Sequence, residues 1–156
     1  MHAVFCFLAF VFIFASIFTM FTCETCYPFD KYKQTLGQSD NGKLLQLYKV
    51  VVQERASIAL NGLILGFILG FIYIYFCQKS FNFIINACAF TRIILGTQYL
   101  VYMLSPKMSM LPHLENKQQV QSWYEVYKFM QWRYHTGMLL GVVGYFILGC
   151  WITKSK

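Results

Sequence analysis

Two thiols, Cys23 and Cys26 in the stretch CETC, form the single close cysteine pair among six (Cys6, Cys23, Cys26, Cys77, Cys88 and Cys150). Such a C-x-x-C pair can cycle between dithiol and disulfide, because one thiolate attacks and the other resolves. A redox domain usually sets the pair at a helix start inside a βαβ unit, which this chain has no strands to build. A zinc site needs two further ligands, and His113 is the one imidazole expected on the same side of the chain. The spacing therefore favours structural thiols or a local disulfide over a redox couple, with a metal last, and no cofactor is expected. The other four cysteines fall in or beside apolar runs, where cysteine behaves as a small hydrophobe.

The second unusual residue is Arg92, in NACAFTRIILGTQYL. It stands near the middle of an apolar run with no acidic residue beside it. A central arginine costs ~2.5–3.5 kcal/mol on insertion scales, which the surrounding Leu, Ile, Phe and Val can offset. On a helical wheel Asn82, Asn86, Arg92, Gly96 and Tyr99 share an arc, so this polar face should turn inward or toward a partner. Asn86, Arg92 and Tyr99 are the expected intramembrane polar contacts, with Tyr73 and Tyr75 as further hydroxyls within reach. His135, two residues from Arg133, reads as an interfacial histidine in an aromatic belt with Trp132 and Tyr134. No nucleophile elbow, phosphate loop, H-E-x-x-H or pair of intramembrane carboxylates is present, so neither catalysis nor proton-coupled transport is indicated.

The elements that must position these residues are long apolar helices. The chain has 156 residues, 58% hydrophobic and 12% charged, about half the charged fraction of a soluble domain. The length suits one membrane domain over 1–156, an all-α bundle of four transmembrane helices in two hairpins. The spans are 3–21, 56–77, 81–104 and 134–152. The first occupies a signal-peptide position but has no basic n-region or small-x-small site, and is read as a retained span. QKS between spans two and three forces an antiparallel hairpin. YKVVVQER before GLILG and YKFMQWR before GMLLG suggest a repeat of one hairpin, about 77 residues.

The connections 22–55 and 105–133 lie outside the membrane. The first is mostly loop until Leu44, Leu47, Val51 and Ile58 take up helical spacing into span two. In the second, Val120, Trp123, Tyr127, Met130 and Tyr134 continue through Gly137, Gly141 and Gly144 on one helical face. A helix over 114–152 would be ~58 Å long, so half of it should project as a stalk, docking a partner through Trp123, Tyr127 and Met130. Gly62, Gly66 and Gly70 repeat as G-x3-G-x3-G, and Gly137, Gly141 and Gly144 match them. These glycine-zipper faces let helix backbones approach closely. The connections carry nine Lys and Arg, against Lys79, Lys154 and Lys156 at the other end. The positive-inside rule puts the connections in the cytosol or its organellar equivalent. The net charge of +7 suits topology and anionic headgroups of membrane lipid, not nucleic acid.

Size, basic charge, four spans and Arg92 in the third make the chain resemble the MAPEG family of membrane-bound glutathione and eicosanoid enzymes. That likeness implies a lipid or thiol transferase. Glu54-Arg55 matches part of the family pattern at span two, while Asn61 falls at another distance, so no site residues carry over. SPKMSMLPHLENKQQVQSWYEVYKFMQWRYHTG resembles small membrane proteins of large DNA viruses. The function expected is a non-enzymatic structural or assembly subunit in a virion membrane, or in an ER or organellar membrane. Its partners would be other membrane or peripheral subunits, a capsid or an organellar complex. A Cys23/Cys26 redox protein and a MAPEG-like transferase are the alternatives.

Overall fold

The computed structural model describes residues 2–21, 27–37, 43–77 and 82–154. These form five α-helices and one short 3-10 turn, with no strand among them. The helices are α1 (His2–Phe21), α2 (Tyr27–Gly37), α3 (Lys43–Cys77), α4 (Phe83–Leu104) and α5 (Lys117–Lys154), with Leu111–His113 as the 3-10 turn.

Three of the described helices hold a stretch long and apolar enough to cross a membrane: Lys43–Phe76, Phe83–Leu104 and Lys117–Lys154. The apolar part of α1, Val4–Met20, is shorter. The helical spacing expected from Leu44 onward does run unbroken into the apolar part of α3, giving a helix ~52 Å long. The stalk helix begins three residues later than expected and runs ~57 Å.

Glycine positions decide which helices pair. A Cβ on Gly66 would lie 2.8 Å from the Ile94 carbonyl oxygen and 3.0 Å from its Cα, so α3 and α4 touch backbone to backbone. Gly62 against Gln98 and Gly70 against Phe90 extend this antiparallel contact in both directions. On α5, Gly137 meets Met20 and Ser16, Gly141 meets Ser16, and Gly144 meets Ile13, an antiparallel match to α1. Gly149 abuts Ala87 and joins α5 to α4. Of the two hairpins expected, α4 and α5 do pack together, whereas α1 lies along α5 rather than α3. The physical reason is surface shape. The glycine face of α3 is filled by Phe90, Ile94 and Gln98, while α1 offers Ser16 and Ile13 to the glycines of α5.

Two hydrophobic cores result. One lies among the apolar helices and includes Ala9, Ile13, Leu63, Ile74, Phe90, Ile94, Tyr145 and Leu148. Tyr145 meets Phe67 edge to face at 5.5 Å, closing α5 toward α3. The other core gathers Phe29, Tyr32, Leu36, Tyr48, Val51, Met110, Trp123 and Val126 where α2 packs on the N-terminal parts of α3 and α5.

The helix α2 corrects the expectation of a mostly irregular connection. Phe29, Tyr32 and Leu36 recur at helical spacing and bury one face. Pro28 falls in the first turn, where a missing N–H costs nothing. The Asp-Asn-Gly turn signal comes only after Gly37, outside the described residues.

Helix ends are set locally. The Asn82 side chain accepts from the Ile84 N–H at 3.2 Å and starts α4. Ser105 N–H donates to the Val101 carbonyl at 3.1 Å and ends it, just before Pro106. At the start of α5 the Gln119 side-chain oxygen accepts from the Glu115 and Asn116 N–H groups at 3.2 and 3.3 Å.

Candidate functional site

The inner face of α4 buries Asn86, Ala87, Phe90, Thr91, Ile94 and Gln98. At 100° per residue Arg92 points to the opposite side, and it is exposed. Among the described residues its guanidinium has no hydrogen bond and no ion pair. The polar arc expected on this helix is therefore split. Asn86 faces inward, where its Oδ1 accepts from Tyr73 OH at 3.4 Å. Arg92, Gly96 and Tyr99 face outward, with Tyr99 57% exposed and open space where a Gly96 Cβ would stand. Tyr73, expected near the arginine, is engaged with Asn86 instead, and Tyr75 is exposed.

In the stalk, the buried face of α5 is formed by Gln119, Ser122, Trp123 and Val126. The Trp123 ring meets that of Tyr32 of α2 at 5.5 Å, tilted by 43°, and Trp123 is only 7% exposed. This corrects the expectation that Trp123 presents itself to a partner: its area is used up in holding α2. Met130, half-buried, packs on the same core. Tyr127 is 40% exposed and accepts a hydrogen bond from Gln131 Nε2 at 2.9 Å. It shares an outward stripe with Val120 and Tyr124, both exposed, at steps of three and four. Lys128 lies over the Tyr124 ring at 4.5 Å.

The Glu54-Arg55 pair grips the 105–116 segment. Arg55 Nη2 donates to the Met108 carbonyl at 3.0 Å, and Met108 N–H donates to Glu54 Oε2 at 3.1 Å. Both arms of one backbone unit are thus held by adjacent side chains of α3. This seats Met110, fully buried, in the stalk core.

Cys23 and Cys26 lie outside the described residues. Cys6, Cys88 and Cys150 are free thiols. Among the described residues no cluster of three His, Cys, Asp or Glu could hold a metal. His113 is exposed in its 3-10 turn. His135 is exposed beside Tyr134, with Nδ1 2.6 Å from the Gln131 carbonyl.

Several polar residues that organise the structure carry no sequence signal beyond their position. Ser16 donates to the Gly137 carbonyl at 2.6 Å. Thr153 donates to the Gly149 carbonyl at 2.8 Å, one turn back along its own helix. Ser122 turns its hydroxyl onto the Gln118 and Gln119 carbonyls at 3.0 Å, so it can enter the core. No protein-family model, curated protein or solved structure matches the chain.

Proposed function

We propose that the chain is a multi-span membrane protein with a structural or assembly role, its stalk serving as the attachment point for a second protein. The observation that carries this reading is the outward stripe Val120–Tyr124–Tyr127. Val120 is 43% exposed and Tyr124 55% exposed, on a helix held rigid from behind by Trp123 and Tyr32. Aromatic side chains on a fixed scaffold are the usual anchors of a protein interface, because little rotamer freedom is lost on binding. Lys117 and Glu115 border a shallow groove with Val120, Gln121 and Tyr124, supplying a polar rim.

Within this reading α1 is a fourth span beside the three long apolar helices. The apolar part of α1 lies antiparallel to α5, and Thr153 reaches the Phe83 carbonyl, so the starts of α1 and α4 and the end of α5 fall at one end of the bundle. The basic connections fall at the other, the cytosolic side by the positive-inside rule. The glycine faces serve helix packing. A virion membrane or an organellar membrane is the setting such a subunit would occupy, with a capsid or an organellar complex as the partner.

The test is the triple substitution Val120→Ser, Tyr124→Ser and Tyr127→Ser. These positions are exposed, so membrane insertion and helix content by circular dichroism should match wild type. After mild detergent solubilisation of the native membrane, the wild-type protein should sediment with a large assembly and the variant alone. A variant that stays in the assembly at wild-type levels overturns the docking role.

A further inference from the structure

The outer face of α4 is a second contact surface, within the apolar part of the molecule. Ile85, Cys88, Arg92, Gly96, Tyr99 and Met103 recur at steps of three and four, the seam spacing of paired helices. Each of them is exposed. Cys88 and Gly96 flank Arg92 one turn away on either side. Cys88 is small and Gly96 has no side chain, which leaves a notch in which a second backbone can approach, and among the described residues nothing beyond its own helix backbone and chain neighbours stands within 4 Å of a Gly96 Cβ.

Arg92 itself lies ~14 Å from Phe83 and ~18 Å from Leu104 along the helix axis. An arginine stem covers only part of either distance, so snorkelling alone does not bring the charge fully to a headgroup. The chain supplies no carboxylate at this depth. Its acidic residues are Glu24, Asp30, Asp40, Glu54, Glu115 and Glu125, all outside the apolar runs. Two copies meeting through this face would oppose two guanidiniums, which disfavours self-association.

We propose that this face receives a transmembrane helix of another protein carrying a carboxylate at mid-depth, which pairs with Arg92 while its backbone packs on Cys88 and Gly96. The charge fixes the chemistry of the partner, since a guanidinium in hydrocarbon is best satisfied by a bidentate carboxylate. The proposal rests on the assembly reading above and names the intramembrane partner that reading would require.

The test uses the full-length chain with Cys88 as its only cysteine, reconstituted in phosphatidylcholine vesicles. The probe is a synthetic Leu/Ala transmembrane peptide with one central Glu and a cysteine one turn away. Oxidative cross-linking to Cys88 should be roughly tenfold stronger for this peptide than for its Gln counterpart, the scale of an intramembrane polar contact. Arg92→Leu should lose the preference and Arg92→Lys keep part of it. Arg92→Glu should transfer the preference to a Lys-centred peptide. Equal cross-linking of the Glu and Gln peptides to wild type overturns the proposal without relying on any variant. Loss of Glu-peptide cross-linking when phosphatidylglycerol is added also overturns it, and assigns the arginine to a lipid phosphate. If the stalk variant leaves its assembly while the Glu peptide shows no preference, the assembly role stands and the acidic helix falls.

Discussion

Ser16 and Gly137, 121 positions apart in sequence, are joined by a buried hydrogen bond of 2.6 Å from the serine hydroxyl to the glycine carbonyl. The bond ties the first apolar helix to the last. It exists because Gly137 and Gly141 have no side chains: a Cβ at Gly141 would sit 2.9 Å from the Ser16 oxygen. In the absence of water a helix carbonyl is already paired, and the extra donor adds a second interaction on its free lone pair. Ser16→Ala should therefore lower stability by ~0.6 kcal/mol and by no more than ~1.7 kcal/mol, the average and the maximum for hydrogen bonds between membrane helices. Denaturation in mixed micelles, followed by circular dichroism, reads the change. An unchanged midpoint would mean the bond contributes nothing net.

Glycines on the same helices should differ sharply in what they tolerate. Gly66→Ala places a methyl 2.8 Å from the Ile94 carbonyl oxygen, and backbone cannot step aside as a side chain can. A loss of ~1–3 kcal/mol is expected from overpacking. Gly96→Ala meets open space. It should be neutral or stabilise the helix by up to ~1 kcal/mol. If both substitutions cost the same, close approach of α3 and α4 at Gly66 is not what the glycine provides.

The long helices were legible in the sequence because charge-free apolar runs leave few alternatives. So was the continuity of α3, since Leu44, Leu47 and Val51 keep helical spacing. The stalk face was legible only in part. The apolar stripe from Val120 through Tyr127 lies to one side of the buried face, which includes Gln119 and Ser122. Those polar residues enter the core because each satisfies local backbone, Gln119 as the cap of α5 and Ser122 through the preceding carbonyls. Period alone sees their polarity and rotates the face away from them. A different reason hid α2: its amphipathic pattern, Phe29, Tyr32 and Leu36, is only three residues deep. Arg92 was legible as an anomaly, but its direction depends on which side of α4 meets α3 and α5, and that is decided by glycines elsewhere.

Sidedness gives a direct measure of the span number. In a cysteine-free background, single reporters Gln34→Cys on α2 and Gln121→Cys on α5 occupy exposed positions at the stalk end. Lys154→Cys is exposed at the opposite end of α5. A further reporter, His2→Cys, stands at the start of α1. With four spans, a membrane-impermeant maleimide should label Gln34→Cys and Gln121→Cys from one face of sealed vesicles, and His2→Cys and Lys154→Cys from the other. Labelling of His2→Cys from the same face as Gln34→Cys would remove α1 as a span, and labelling of Gln34→Cys and Lys154→Cys from one face would remove the crossing by all three of α3, α4 and α5.

Tyr32 makes the stalk core sensitive to alkali. Its ring is fully buried, meeting Tyr48 edge to face at 5.3 Å, and its hydroxyl has no hydrogen-bond partner among the described residues. Burial, with the nearby Tyr48 second, pushes the Tyr32 phenol well above the usual tyrosine range. The folded state then holds this proton more firmly than the unfolded chain, whose tyrosine titrates near ~10. Between those two values folding must take up a proton. The contribution is therefore complete below pH ~10 and is lost progressively as pH rises toward the folded value. Tyr32→Phe keeps the ring and deletes the orphan hydroxyl. It should leave stability unchanged at neutral pH or raise it by up to ~1–3 kcal/mol, the cost of an unsatisfied buried polar group. It should also flatten the alkaline fall. Trp123, whose ring lies 5.5 Å from that of Tyr32, reports the opening through its fluorescence. A Tyr32→Phe variant with the wild-type alkaline midpoint would assign the loss to a different group, and one that unfolds at neutral pH would show that the hydroxyl is bonded after all.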